Sequence, residues 1–580
     1  MSKLRTGTVA MAAAALVAGC AAGPRPLGGG GGHSPTVGGS LPASPLPGPL
    51  SRAERGARDL GPVPGSLELT AYLTFRQRNA SKLAALLARG GRVSPAQWDV
   101  EFGPAGTEVR ATIKVLSRAG AHTQWRPGQP YVMATGPAAV MEALFRVRVD
   151  YFGGNQRATF YRPLSQPVAP AGARRYISAV TGLNDLPGYV APAIIGSSGV
   201  SPAQISSFYD ITPLRRAGID GWGETVMFPE DAVPAANVLA AYAHKFGLPP
   251  FHVTVVTDPA AWGQPLAPAS SYFDYYATEA ALDLEVVHGL APGARELVYE
   301  PGLPNSEAPA MFAAMVEAHP TAIMSGSFYM NECEQDPGAR AAADAEDASF
   351  AKGSALGVSI FWASGDRGAY ACLNSSTEAQ AYGDTLSVNP DGSGPHVTSV
   401  GGTTIFLSST GAYYKEAAWG EPLEQWGGGG GYSTFFSRPS WQMAPGVGNN
   451  PGRGVPDVSC DADSLTGWDV FIPTQGQSAP TEAPIGGTSA ATPCWSGITA
   501  LIDEFLAREH LRSVGFAAPT LYYFARQPKG LPAPAFHDIT EGDNLHYPAT
   551  TGWNAATGLG TPDVAHLADD FAWFDRTQLG

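Results

Sequence analysis

The sequence predicts an α/β fold, a parallel sheet with helices on both faces, preceded by a smaller α+β unit. Three observations predict it. From about residue 201 onward, short apolar runs at 225–228, 252–257, 296–299, 322–325 and 357–363 alternate with longer segments of helical period. That is the pattern of strands joined by crossover helices in a sheet buried on both faces. Ahead of that region, residues 65–190 mix two helical patterns with two alternating ones, which suits helices laid on an antiparallel sheet. Late in the chain, Ile485-Gly-Gly-Thr-Ser-Ala-Ala-Thr-Pro493 sets a serine among small residues just before a helix-compatible run. A strand or loop delivers a reactive hydroxyl to a helix N-terminus in this way, where free amides favour developing negative charge.

Taken in order, residues 1–19 read as an export signal. Lys3 and Arg5 precede an apolar stretch too short to span a bilayer, which ends in Val17-Ala-Gly-Cys20. The site resembles a bacterial lipobox, which implies a lipid on Cys20, a membrane attachment and a place at the cell envelope; an ordinary cleaved signal is the other reading. Gly, Pro and Ser dominate residues 20–64, so these form a flexible tether. In 65–190, Ser81 is placed to cap a helix with Leu83, Leu86 and Leu87 on one face and Gly90 at its end. Pro137 opens a second helix with Val140, Ala143 and Leu144, while 108–115 and 131–135 alternate like strands. Residues 191–204 carry Pro192, Gly196, Ser197, Ser198, Gly199 and Pro202, an exposed linker that is easily cut. After Ser489 a helix from Trp495 to Phe505 would bury Ile498, Leu501 and Ile502 against the sheet.

The chemistry-bearing residues cluster around that serine only if carboxyl groups serve it. Glu279 and Asp283 stand one helical turn apart, and like charges at that spacing raise one member's pKa, as suits a base working in acid. The run 355–368 reads as a buried strand ending in Ser-Gly-Asp366-x-Gly, at the carboxyl end of a sheet where active sites collect. Residues 224–231 likewise end a short apolar strand in acids, Glu230 and Asp231.

These motifs resemble those of the sedolisins, serine-carboxyl peptidases of the kumamolisin type. The resemblance implies a subtilisin-like sheet, a ferredoxin-like activation propeptide at 65–190, processing at 191–204 and a peptidase domain at 205–580. It also implies the roles: Ser489 the nucleophile, Glu279 the general base, Asp283 the acid that orients it, Asp366 the oxyanion aspartate and Glu230 an auxiliary carboxyl. Gln425 to Ser433, Arg438 to Gln442 and Arg453 to Ser459 recur in the family in the same order. Near the C-terminus, the matching positions hold Ca2+ through acids and backbone carbonyls. Here they are Asp538, the carbonyls of Ile539, Thr550 and Gly552, and Asn554, with Asn554 standing where the family carries an aspartate and Thr550 where it carries a glycine. The partners implied are peptide or protein substrates and the chain's own propeptide as an intramolecular inhibitor, in a monomer.

Composition narrows the field further. A net charge of −15 without a basic stripe argues against nucleic acid. With 15% charged residues, 70 Gly and 51 Pro, the chain suits a loop-rich enzyme outside the cytoplasm. With Cys20 set aside for a lipid, Cys333, Cys372, Cys460 and Cys494 are compatible with one or two disulfides, and Cys333 with Cys372, each following a strand's carboxyl end, is the first pair expected. The run 427–431 lacks the lysine and helix of a phosphate loop and reads as an extended wall beside bound peptide. Two other readings stay open: a subtilisin-like protease using His288 as base, and an inactive lipoprotein that keeps the fold for binding.

Overall fold

The architecture comes from a computed structural model that describes residues 58–579 apart from 154–158, 186–188, 191–193, 196–198, 259–261, 263–272, 301–307, 330–332, 335–337, 375–384, 411 and 475–478, together with the short strand Ser44–Pro45. The expected export signal, Cys20 and nearly all of the tether lie outside the described residues, as do parts of the linker.

The central sheet is built from β1 (Thr225–Pro229), β2 (Val253–Val256), β3 (Arg295–Tyr299), β4 (Ile323–Gly326), β5 (Ser359–Ala363), β6 (Thr398–Leu407), β7 (Tyr413–Ala418) and β8 (Val458–Asp461). The order is β2-β3-β1-β4-β5-β6-β7, with β8 also pairing β6; every pair is parallel except β6 with β7. The five strands expected from the sequence fall within one or two residues of these bounds. The apolar runs of β1, β3, β4 and β5 are continuous because both faces are covered, while β2, at the sheet's edge, leaves Thr254 and Val255 exposed. Val226, Phe228, Ile323 and Phe361 enter one core, and Met227, Met324, Ile360 and Trp362 enter the other.

Helices cover both faces of the sheet, and α1 and α3 carry site residues. On one side lie α1 (Phe273–Leu290) and α3 (Thr488–Arg508), whose Leu282, Val286, Ile498 and Leu501 share the first core. On the other, α2 (Ala339–Leu356) and the helix Ala308–Ala318 bury Phe350, Met311, Phe312 and Met315 around Trp362. Helix α1 is buried all along 276–290, which is what a helix apolar on every side does in a core. The helix expected from Trp495 to Phe505 starts earlier, at Thr488, so that α3 includes Ser489, and it buries Ile498, Leu501 and Ile502 as expected.

The N-terminal unit is a four-stranded antiparallel sheet in the order His122–Gln124, Tyr131–Pro137, Glu68–Phe75, Ile177–Gly182. With its helices this gives the βαββαβ arrangement of a ferredoxin-like fold. Three local expectations fail. Residues 108–115 belong to a helix, Gly106–Arg118, because Val109, Thr112 and Leu116 recur at helical spacing on its buried face and Glu108 reaches back to the Ala105 N–H. The first helix, Ala80–Leu87, is entered through Asn79 in the left-handed region rather than through a Ser81 cap. In Ala138–Phe145 the buried face is Ala138, Met141 and Phe145, so Ala143 points outward.

This unit packs on the large one. Tyr72 and Tyr131 cluster with Ala310 and Ala313, and Leu83, Leu87, Trp98 and Phe102 are buried together with Ala351, Ala355 and Leu356 of α2. The Lys352 ammonium, buried, donates to the Gly128 carbonyl at 3.0 Å and pairs with Glu317. Two short strand pairings follow this unit in the chain. Tyr189–Val190 pairs antiparallel with Phe328–Tyr329, and Ile194–Ile195 pairs antiparallel with Ile485–Gly486 at the end of β10 (Thr481–Gly486), which itself pairs with β9 (Trp468–Ile472). Disulfides join Cys333 to Cys372, the pair expected first, and Cys460 on β8 to Cys494 on α3.

Candidate active site

Ser489 is the second residue of α3. Gly487 precedes that helix with φ at +118°, and a Cβ there would lie 3.1 Å from Asp366 Oδ2, so only glycine makes the turn without strain and crowding. Four residues on, Pro493 has no N–H to offer the Ser489 carbonyl. The Ser327 hydroxyl, just past the end of β4, fills that role: it lies 3.3 Å from the Ser489 carbonyl and 3.0 Å from Asp283 Oδ1. Its single proton serves one acceptor or the other.

Glu279, Asp283, Glu230, Asp366 and Ser489 are all buried, and the fold brings all five to one place. Burial, then the Asp283 charge, pushes Glu279 well above the usual carboxyl range; the facing Ser489 hydroxyl pulls it back down and Asp366 adds to the rise. Neither Glu279 oxygen makes a hydrogen bond of normal geometry, and nor does Ser489 Oγ. Burial raises Asp283 to about 8, against the pull of Ser327 and Glu230. Glu230 is raised well above the usual range by burial, then by Asp283 and Glu279, and its contact with Asp283 raises it while lowering Asp283.

Asp366 sits in the loop after β5. Its Oδ1 accepts from the Thr488 N–H at 2.7 Å and the Thr488 hydroxyl at 2.8 Å, while Oδ2 makes no hydrogen bond. Burial pushes its carboxyl up to about 6. The glycine run closes over this loop: Gly427 N–H donates to the Asp366 carbonyl at 3.1 Å and Gly429 N–H to the Gly365 carbonyl at 2.7 Å. A Cβ on Gly429 would fall 2.0 Å from the Ser364 carbonyl, which is why the run carries no side chains.

His288 is not in this group. Nine residues past Glu279 on one helix places it about 180° round the axis. Its Nε2 lies 2.8 Å from the Pro249 carbonyl, its ring stacks on Phe251, and burial lowers its pKa to about 4. The subtilisin-like reading fails on this placement.

The N-terminal unit matches a family model described as the pro-kumamolisin activation domain over residues 55–186. Over 555 residues the chain is 29% identical to kumamolisin from Bacillus sp. (strain MN-32), covering 89% of this chain and 94% of that protein. It is 38% identical over 245 residues to sedolisin from Pseudomonas sp. (strain 101), across 41% of this chain and 38% of that protein. The solved structure of Pseudomonas sedolisin, a serine-carboxyl proteinase complexed with two molecules of pseudo-iodotyrostatin, superposes with a TM-score of 0.54 at 27% identity, covering 66% of this chain and 99% of that one. The chain is a kumamolisin-like member of the sedolisin family. Sedolisins are serine-type peptidases.

In this sedolisin the residues expected to hold Ca2+ do converge, but on an amide. The Asn554 Nδ2 lies 3.4, 3.0 and 3.3 Å from the carbonyls of Ile539, Thr550 and Gly552, and Asp538 Oδ1 accepts from the Gly552 N–H at 3.0 Å. Among the described residues no group of three or more His, Cys, Asp or Glu side chains is placed to hold a metal ion. Thus the donor set does not fit the cation as the residues now stand. Ser327 and Thr488 are the site residues that sequence reasoning missed. Ser327 carried a readable signal, a serine at the carboxyl end of an apolar strand, the same position that singled out Asp366.

Proposed function

We propose that this sedolisin hydrolyses peptide bonds through an acyl-enzyme in acid, with Ser489 as nucleophile, and that it is made as a proenzyme which processes itself. The observation that carries the reading is one buried serine among carboxyl groups raised by burial, with His288 turned away toward Pro249 and Phe251. Glu279 and Asp283 share one proton and carry one negative charge between them, and from that state Glu279 takes the Ser489 proton as Oγ attacks the scissile carbonyl carbon and returns it to the leaving amine when the C–N bond breaks. Water then attacks the ester, Glu279 again taking the proton, and the carboxyl product leaves with Ser489 restored. Asp283 holds Glu279 through a shared proton, with Glu230 as the end of the chain of carboxyls. Because Thr488 occupies Oδ1 of Asp366, its proton goes to Oδ2, which donates to the oxyanion.

The linker supports self-processing. Its Ile194–Ile195 pair antiparallel with Ile485–Gly486, the end of the strand that leads into Ser489, the way an extended peptide adds to a sheet edge. Cutting within 191–204 separates the propeptide, and with it the lipid proposed on Cys20, from the peptidase domain. Activation then doubles as release from the membrane.

The test is acid incubation of the purified precursor with a denatured protein substrate. Wild type yields peptides and a new N-terminus within 191–204, and Ser489→Ala yields neither. A precursor that binds denatured protein at about pH 4 yet never cuts it would return the chain to the binding reading.

A further inference from the structure

The turn around Asn554 is ordered by two opposed sets of backbone groups. On one side the Ala556 and Thr557 N–H groups donate to Asn554 Oδ1 at 3.1 and 2.9 Å, with the Thr557 hydroxyl at 3.2 Å. On the other, the three carbonyls of Ile539, Thr550 and Gly552 face Nδ2. This fixes the amide's orientation. Flipping it would aim an NH2 at two N–H donors and an oxygen at three carbonyls, turning every contact repulsive.

A carboxylate at this position has no such solution. One oxygen can accept from the 556 and 557 amides, but the other is then a negative oxygen among three carbonyl oxygens. Only a cation between them makes that arrangement favourable, and oxygens of this kind form the shell that Ca2+ takes. Asparagine presents an acceptor where the N–H groups are and a donor where the ion would be. We propose that in this chain the Asn554 amide replaces both the acidic ligand and the cation, so that the turn keeps its shape without calcium.

The turn has work to do. Asn554 and Gly558 bond each other's backbones at 3.1 and 2.8 Å, and the Thr557 carbonyl accepts from Ser459 Oγ on β8 at 3.1 Å. Ser459 in turn accepts through its carbonyl from Trp495 Nε1 on α3 at 2.8 Å. Through these bonds the amide braces the strand on which the nucleophile's helix rests.

The experiment is thermal unfolding of the full chain at neutral pH, with excess EDTA and with millimolar CaCl2, for wild type and Asn554→Asp. Metal content of the purified wild type is measured alongside. The expected results are a wild-type Tm that is the same in both buffers, less than one calcium per ten chains, and an Asn554→Asp Tm that is lower in EDTA and recovers by several degrees with calcium in a saturable way. A wild-type Tm that falls in EDTA and is restored by calcium, or stoichiometric calcium in the purified chain, overturns the proposal. So does an Asn554→Asp variant that folds but ignores calcium, because the turn would then not be a converted cation site. The wild-type measurements decide even if the variant fails to fold.

Discussion

At Asp366 the two carboxyl oxygens are chemically distinct, because Thr488 supplies two donors to Oδ1 and none to Oδ2. With the carboxyl raised to about 6 by burial, Oδ2 carries a proton below that pH and loses it above. Hence kcat/KM falls as pH rises through about 6, and a steady-state pH profile checks this. Asp366→Ala lowers kcat by roughly 100- to 1000-fold, the usual cost of one oxyanion donor. Ser327→Ala leaves the Ser489 carbonyl and Asp283 without their shared donor and costs about 1–3 kcal/mol of stability, read as a lower Tm. Glu279, Asp283, Asp366 and Ser489 were legible because each sits in a short motif with a physical reason to be where it is. Ser327 was not read, because its role depends on Pro493 lacking an N–H and on a distant strand end arriving beside α3.

Individual elements were legible in proportion to how many faces they bury. Strands β1, β3, β4 and β5 of the central sheet are buried on both sides, so their runs are continuous and their bounds could be set within a residue or two, whereas β6, β7 and β8 were not read. In the N-terminal unit, Gly106–Arg118 buries only Val109, Thr112 and Leu116, and the intervening polar residues imitate a strand's alternation. The linker pairings with Phe328–Tyr329 and Ile485–Gly486 had no sequence signal, since a strand edge accepts any backbone. At the head of α3, Gly487→Ala forces a side chain into a left-handed turn and against Asp366 Oδ2. The variant is expected to fold with a kcat lowered about tenfold or more and a KM nearly unchanged, which initial-rate kinetics would separate.

Across the whole molecule, carboxyls raised by burial recur away from the site: Glu285, Glu296, Glu346 and Asp461 well above the usual range, Glu416 to about 7 and Asp503 to about 8. Each binds its proton more tightly folded than unfolded, where carboxyls titrate near 4. Between those values the folded state holds more protons, so stability is fullest in acid and declines as pH rises from about 4 through about 8. Tm of the Ser489→Ala full chain, followed across that range, is expected to fall steadily. Fold and chemistry thus ask for the same conditions. The central claim, that carboxyl groups and not an imidazole activate Ser489, is tested most directly by the intact mass of two full-length variants after transfer to about pH 4. Glu279→Gln is predicted to remain uncut, while His288→Ala, if folded, is cut within 191–204 like wild type. A Glu279→Gln precursor that processes at the wild-type rate, beside a folded His288→Ala precursor that stays whole, would contradict it.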